Sequence, residues 1–125
     1  MEKLSKKTEG ILNSSEAKRY KYFIHTVADN LEMWGYYNEE NNAWMTKEKN
    51  GVEYILLFPE KVFTQLFEMG NSIEWKPKAI NVYEFLYEWR NCMQEQKITL
   101  YGGTAACIRS PEDLIMDLAE ELSNY

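Results

Sequence analysis

Residues 43–58 of the chain read AWMTKEKNGVEYILLF and decide its fold. Asn50-Gly51 is the strongest short signal for a β-hairpin, because both positions of a two-residue turn need the positive φ angles that Asn and Gly tolerate. The flanking segments, Ala43 to Lys49 and Val52 to Phe58, are therefore predicted to be antiparallel strands.

The register of this hairpin depends on the length of its loop. A two-residue loop sets Glu48 directly opposite Glu53, which carries a mild like-charge cost. A four-residue loop avoids that pair, so the register stays open at this point. Ile55 to Phe58 is apolar on both faces, which is typical of a central strand that is covered on each side.

Capping residues and apolar side chains at helical spacing predict four helices around this hairpin. Their signals are a Ser14-Ser15 cap before about 16 helical residues, Pro59 with a stop at Gly70, a capping box at Asn81 before a helix to about Gln96, and Ser110-Pro111 before the last helix. The other predicted strands are Met33 to Tyr37, a short strand at Ala79-Ile80, and a second hairpin of Ile98 to Tyr101 with Ala105 to Arg109. This order predicts an α+β fold, with a largely antiparallel sheet of about five strands and helices packed on it.

Length and composition favour one globular domain. The chain has 125 residues, of which 45% are hydrophobic and 27% are charged, the balance of a soluble folded protein. We expect a single domain over residues 14–125. Residues 1–13 are polar and show no clear periodicity, so we expect a loosely held N-terminal arm there.

The net charge of −6 and the pI near 4.9 limit the classes of partner. They argue against a protein whose main task is to grip phosphate backbones, so we expect no nucleic-acid partner. No stretch approaches the ~18 consecutive apolar residues of a membrane span, so we expect no membrane partner. The N-terminus lacks the apolar region of a signal peptide, and a cytoplasmic protein is the expectation.

Charge is unevenly distributed along the chain. Residues 1–21 carry six basic and three acidic side chains, a net of +3, whereas no base follows Arg109. The last helix is acidic, and two interpretations of it remain: a solvated helix face or a docking surface for a basic partner. Its acidic residues are Glu112, Asp113, Asp117, Glu120 and Glu121.

The sequence shows no recognisable catalytic, metal or cofactor site, and we expect a non-enzymatic protein without a cofactor. Cys92 and Cys107 are far apart and lack C-x-x-C spacing, so we expect reduced, packed thiols. His25 is the single histidine and lies off the apolar stripe of its helix, which predicts a surface or boundary position. Gly102-Gly103-Thr104 lies between strands and lacks the lysine of a phosphate-binding loop, so we interpret it as a turn.

Aromatic side chains make up 14% of the chain and are the remaining signal. Most of those on predicted strands are expected to fill the core. Trp75, Lys76 and Lys78 differ, because Pro77 places them in a predicted loop. Trp75 is either a hinge packed on the sheet or an exposed anchor for a partner, with the two lysines beside it as candidate binding residues.

A second candidate site lies on the third predicted helix, where Tyr83, Tyr87 and Arg90 form a stripe on one flank. These side chains would supply the polar groups of an aromatic pocket between that helix and the sheet. Such a pocket would bind a small molecule or support weak hydrolysis, with His25 as the only plausible base.

A series of short motifs follows the order of these elements across roughly residues 16–122. They are Tyr20-x-Tyr22-Phe23-Ile24, Trp34-Gly35-x-Tyr37, Trp44, Phe58-Pro59-x-Lys61-x-Phe63, Trp75-x-Pro77-Lys78-Ala79-Ile80, Glu84-Phe85-Leu86-x-x-Trp89 and Ser110-Pro111-Glu112-x-Leu114. Their order and spacing resemble the bacterial family catalogued as domain of unknown function 2750. The resemblance implies a small stand-alone bacterial protein and carries no catalytic or binding residues. One departure is Tyr101-Gly102-Gly103-Thr104, where a longer, proline-containing hairpin is expected.

These observations favour a non-enzymatic, cytoplasmic protein-interaction module of regulatory or immunity type. The alternative is a small-molecule-binding domain or weak hydrolase with an aromatic pocket. A third hypothesis is a homodimer that forms through exposed aromatic side chains.

Overall fold

The Asn50-Gly51 hairpin forms as the sequence predicts, with φ of 54° at Asn50 and 79° at Gly51. Lys49 pairs with Val52 across a two-residue loop, so Glu48 lies directly opposite Glu53. The open question of register is thereby answered in favour of the like-charge pair. The computed structural model describes residues 6–65, 74–89, 96–101 and 105–124.

The elements follow the predicted α+β order, with more strands than expected. The helices are α1 (Lys6–Leu12), α2 (Glu16–Asn30), α3 (Lys61–Thr64), α4 (Val82–Glu84), which continues as a π-helical turn (Phe85–Trp89), and α5 (Pro111–Leu122). The strands are β1 (Glu32–Asn38), β2 (Ala43–Trp44), β3 (Thr46–Lys49), β4 (Val52–Leu57), β5 (Lys76–Asn81), β6 (Lys97–Leu100) and β7 (Cys107–Arg109).

The described strands form two sheets instead of one sheet of about five strands. One sheet has the order β2-β1-β5 and is antiparallel, and the other has the order β3-β4-β6-β7. The pairing is largely antiparallel, as expected, and β4 with β6 is a parallel pair.

The two sheets share a chain segment that turns a corner at Met45. The Met45 amide donates to the carbonyl of Tyr36 (2.9 Å), and its own carbonyl accepts from the Leu56 amide (3.5 Å). On one side of Met45 the segment pairs with β1 as β2, and on the other side it pairs with β4 as β3. Trp34 and Phe58 exchange two 2.8 Å backbone hydrogen bonds and join the sheets a second time.

One hydrophobic core lies between these sheets and the helices. The apolar faces of α2 and α5 both enter it, through side chains such as Phe23, Val27 and Leu118. The predicted caps are present: Ser15 Oγ accepts from the Lys18 amide (3.3 Å), and Ser110 Oγ accepts from the Asp113 amide (3.1 Å). Each cap satisfies an amide that the first helical turn leaves without a partner.

The N-terminal segment differs from the expected arm, because residues 6–12 form α1. Ile11 and Leu12 pack against the core, and Thr8 is buried. A seven-residue helix with two apolar side chains at its end is too short to show a period in the sequence. Residues 1–5 lie outside the described part of the chain.

The segment predicted as a loop at Trp75 to Lys78 is mostly strand, so that prediction is wrong for its last three residues. β5 begins at Lys76, and Pro77 aligns with Tyr36 of β1. Proline is tolerated there because β5 is the last of the described strands of its sheet, and one row of amides at an edge needs no partner. The short strand expected at Ala79-Ile80 is therefore the second half of a longer one.

Several helix predictions extend beyond the described residues. α3 begins at Lys61, two residues after Pro59, and the expected stop at Gly70 lies outside the described residues. The Asn81 cap is present, since its Oδ1 accepts from the amides of Tyr83 (2.9 Å) and Glu84 (3.2 Å). Residues 90–95 and 102–104, where the third helix was expected to continue and the second hairpin to turn, also lie outside.

Candidate functional site

Four aromatic rings form a continuous row from the core to the surface; we call Phe85, Trp89, Trp44 and Tyr37 the aromatic row. Neighbouring ring centroids are 5.4 Å apart for Phe85 and Trp89, 5.3 Å for Trp89 and Trp44, and 4.8 Å for Trp44 and Tyr37. Phe85 is fully buried, whereas the other three are half-buried. Tilted and edge-on ring contacts of this length stabilise a fixed arrangement of the side chains.

Local backbone structure explains how the row is assembled. Tyr37 and Trp44 are direct cross-strand partners on β1 and β2, so their side chains share one face of the sheet. The ring of Trp44 extends across Gly35, where a missing side chain makes room for it. Phe85 and Trp89 are four residues apart at the two ends of the π-helical turn, and they bring this turn against the same face.

A groove of about 460 Å³ opens beside the row where the two sheets meet. Two half-buried indole rings, those of Trp44 and Trp89, line it, and the buried side chain of Ile55 contributes a further apolar surface. Its polar edge contains Glu53 and Gln96, whose amide Nε2 donates to a Glu53 carboxylate oxygen. Ala43 and Thr46 complete the lining. We call this the Trp44–Trp89 groove; its volume lies within the range of ~300–1,000 Å³ that is typical of ligand sites.

The lysines that the sequence singled out lie at the outer end of the aromatic row. Lys78 Nζ is 4.1 Å from the ring centroid of Tyr37 and 5.9 Å from that of Trp44, so its charge covers these rings by cation–π contact. Lys76 is exposed and is the cross-strand partner of Tyr37. Trp75 is half-buried and packs against the hydrophobic core.

The second predicted site is not assembled as expected. Tyr83 and Tyr87 are 45% and 76% exposed and do not line the groove, and Arg90 lies outside the described residues. His25 is on α2, with Nδ1 3.2 Å from a Glu121 carboxylate oxygen. An aromatic groove between the sheet and the third predicted helix does exist, but different residues line it.

The acidic face of α5 is partly engaged in contacts within the chain. The Tyr20 hydroxyl donates to the Asp117 carboxylate, and burial followed by this hydrogen bond raises the pKa of Tyr20. The Arg109 guanidinium lies 4.0 Å above the Tyr20 ring and pairs with Glu16 at 2.6 Å. The contact of Asp117 with Tyr20 favours a structural role for this part of the face.

Two features of the part of the chain that the structure describes bear on nucleophilic and metal chemistry, its thiol and its potential metal ligands. Cys107 is a buried free thiol, and burial raises its pKa, which makes the thiolate less accessible. Cys92 lies outside the described residues. Within the described ranges, no three His, Cys, Asp or Glu side chains are grouped to hold a metal ion, and no helix is long and apolar enough to cross a membrane.

Comparison with models of protein families tests the family membership that the sequence motifs suggest. Residues 20–118 match the model of a family described as protein of unknown function (DUF2750). The chain belongs to the DUF2750 family. Comparison with curated proteins finds no match.

Residues that carry the DUF2750 resemblance in the sequence converge at the site in three dimensions. Gly35, Tyr37, Trp44 and Trp89 come from three separate motifs and meet in or beside the aromatic row. Sequence reasoning overlooked the pairing of Trp44 with Trp89, because 45 residues separate them and no local period connects them. The glycine at position 35 of a β-prone strand was the available signal, since a strand glycine often marks the close approach of another group.

Proposed function

We propose that this DUF2750 protein is a non-enzymatic protein-interaction module of regulatory or immunity type that binds its partner at the Trp44–Trp89 groove. The observation that carries the proposal is the pair of half-buried indole rings in the groove. Tryptophan is enriched among the residues that dominate the binding energy of protein interfaces, and such residues cluster in well-packed pockets at the centre of the contact.

The packing of the aromatic row supports this assignment. Trp44 is held between Tyr37 and Trp89, and Trp89 also contacts Phe85. Because these contacts hold the indole rings in place before a partner arrives, binding loses less side-chain conformational entropy. A preorganised pair of rings is better suited to anchor a partner than two freely rotating side chains.

The sheet edges favour binding through side chains over the addition of a strand. Among the described strands, β5 and β3 are edge strands. β5 carries Pro77 between Lys76 and Lys78, and the residues of β3 are all exposed and include Lys47 and Lys49. Proline and lysine on edge strands discourage pairing with another strand. The groove, whose lining includes Thr46 of β3, offers a partner side chains instead of a free strand edge.

We propose a bacterial cytoplasmic setting for this module, as the family resemblance and the composition predict. The buried free thiol of Cys107 fits a reducing compartment, in which thiols stay unpaired. A homodimer through exposed aromatic side chains is the third hypothesis, and its dependence on protein concentration distinguishes it from a complex with another protein.

Affinity capture from a lysate of the protein's own host tests the proposal. Thr46→Arg places a long side chain at an exposed position that lines the groove. The matched control, Ile108→Arg, places the same side chain at an exposed strand position outside the groove. We expect one near-stoichiometric partner to bind the unmodified protein and the control and to be lost from Thr46→Arg. An empty bait, or a partner that Thr46→Arg retains, would contradict the proposal.

The volume and apolar lining of the groove also favour a second candidate, a small-molecule-binding domain. A thermal-shift screen against nucleotides, sugars and metabolites tests it, because a ligand at 100 times its dissociation constant stabilises the fold by about 2.7 kcal/mol. A shift that Thr46→Arg abolishes would favour this candidate. Light scattering over a concentration series tests for a homodimer.

A further inference from the structure

The register of the four-stranded sheet separates acidic from basic side chains. Successive residues of a strand point to opposite faces, and cross-strand partners share a face. By the pairings of β3 with β4, one face at the hairpin carries Thr46, Glu48, Glu53 and Ile55. The opposite face carries Lys47, Lys49 and Lys97, because Lys47 pairs with Tyr54, Lys49 pairs with Val52 and Tyr54 pairs with Lys97.

The groove lies on the face that carries Glu48 and Glu53. Thr46, Glu53 and Ile55 line the groove, and Glu48 is the next residue of that face along β3. In the described strands of this sheet, Arg109 is the base on the same face, because it pairs with Ile98, which in turn pairs with Ile55. Its guanidinium already forms an ion pair with Glu16.

Two carboxylates at the rim of the groove belong to neighbouring strands and are paired with each other instead of with a basic residue. Glu48 and Glu53 are direct cross-strand partners, and both are exposed. Like charges directly opposite each other destabilise a strand pair. A cation that arrives between them would relieve this repulsion, so the rim is complementary to positive charge.

The walls of the groove are complementary to the same charge. The face of an indole ring attracts cations, and arginine stacks on aromatic rings while its planar fork also matches a carboxylate. Lys78 contacts the aromatic row at Tyr37, and neither of these residues lines the groove. Lys78 Nζ is also 5.9 Å from the ring centroid of Trp44, at the end of the aromatic row that lies outside the groove lining.

We propose that the Trp44–Trp89 groove receives an arginine side chain of the partner protein. Its apolar stem packs along the indole rings and Ile55, and its guanidinium meets Glu53 and Glu48 at the rim. The net charge of −6 attracts a basic partner over a longer range. This inference rests on the proposed interaction function and names the chemistry that the groove recognises.

Nuclear magnetic resonance of the indole Nε1–H groups tests the inference without the natural partner. The probe is N-acetyl-arginine methylamide, and the matched neutral probe is N-acetyl-citrulline methylamide, which has almost the same shape. Spectra of Trp44→Phe and Trp89→Phe assign the two indole signals. We expect the arginine probe to shift both signals with saturation and the citrulline probe to shift them several-fold less, with weaker binding at higher salt.

Two variants test whether the arginine probe binds at the acidic rim of the groove or elsewhere on the surface. Glu53→Gln, at an exposed position in the groove, should weaken binding of the arginine probe several-fold, whereas Lys49→Gln on the opposite face should not weaken it. Equal shifts by both probes, no shift by the arginine probe, or unchanged binding to Glu53→Gln would overturn the inference.

These outcomes are distinguishable from failure of the interaction function. If the arginine inference fails but the captured partner is still lost from Thr46→Arg, the groove binds a partner of different chemistry. If the capture fails while the arginine probe binds as described, the recognition chemistry stands and the occupant is not a stable protein partner.

Discussion

The ring of Trp44 packs directly on Gly35. A Cβ atom placed on Gly35 would lie 3.1 Å from Cε3 and 3.3 Å from Cζ3 of Trp44, and 3.6 Å from Cδ1 of Ile80. The first two distances are shorter than ordinary carbon contacts of about 3.5–4.0 Å. Trp44 cannot move away freely, because Tyr37 and Trp89 hold it from the other sides. The position of Trp44, which forms one wall of the groove, therefore requires that residue 35 has no Cβ atom.

Gly35→Ala should destabilise the protein by about 1–3 kcal/mol, since overpacking forces neighbours out of their preferred positions. The midpoint of urea unfolding measures this change. Gly10→Ala is the control, because Gly10 lies in α1 and the added Cβ would meet nothing within 4 Å beyond its chain neighbours and the backbone of its own helix. It should leave stability unchanged or raise it by up to ~1 kcal/mol, as alanine favours a helix. Equal effects of the two substitutions would contradict the packing account.

Ser110→Ala should cost about 1 kcal/mol of stability, because the Ser110 hydroxyl accepts from the Asp113 amide at the start of α5. Ser110→Asp should restore most of the loss, since a carboxylate caps the same amide and favours the positive end of the helix dipole. Urea unfolding of the three proteins measures both effects. If the alanine and aspartate variants were equally unstable, the cap would not be the source of the stabilisation.

Stability should fall at alkaline pH through buried tyrosines such as Tyr36. Burial raises the pKa of Tyr36 to about 12. The corresponding stabilisation is complete below about pH 10, the ordinary tyrosine pKa, and is lost as the pH rises toward the folded value, because the unfolded chain ionises first.

Tyr36→Phe should reduce this pH dependence by up to about 1.4 kcal/mol per pH unit between those pKa values. It should also cost about 1 kcal/mol near neutral pH, because the Tyr36 hydroxyl donates to the Thr64 carbonyl. Urea midpoints at about pH 9, 10 and 11 measure both effects. Tyr87→Phe, at an exposed position, is the control. A Tyr36→Phe profile parallel to that of the unmodified protein would contradict the role of Tyr36.

Lys78→Glu should lower stability by about 0.5–1 kcal/mol, through loss of the cation–π contact with Tyr37. Partner capture should persist, because Lys78 does not line the groove. Thermal unfolding and affinity capture of the same variant provide the two readouts. A folded Lys78→Glu variant that loses the partner would contradict this and would show that the partner binds at the outer end of the aromatic row.

Local signals in the sequence were sufficient where a short motif determines the backbone. Asn50-Gly51 supplies the positive φ angles of its turn, and Ser110-Pro111 supplies a cap and a preformed first turn, so both predictions are confirmed. The apolar run at Ile55 to Phe58 also indicated correctly a central strand, since β4 lies between β3 and β6. Each of these depends on neighbours along the chain.

Features that depend on distant contacts were missed or misread. Lys76 to Lys78 resembles a loop because proline and lysine disfavour strands, but the outer position of β5 tolerates both. The change of sheet at Met45 leaves no signal in the local sequence. It arises because the segment pairs with β1 before Met45 and with β4 after it. The meeting of Trp44 with Trp89 requires the whole fold, so the sequence identified aromatic candidates without the groove.

Photo-crosslinking from inside the groove tests the central claim, that the groove is where a partner protein binds. The chain is expressed in its host with p-benzoyl-phenylalanine at position 46, which lines the groove, or at position 108, which is exposed outside it. We predict that irradiation yields one covalent adduct with a second protein from position 46 and none from position 108. No adduct from position 46, an adduct with a second copy of this chain, or the same adduct from both positions would contradict the claim.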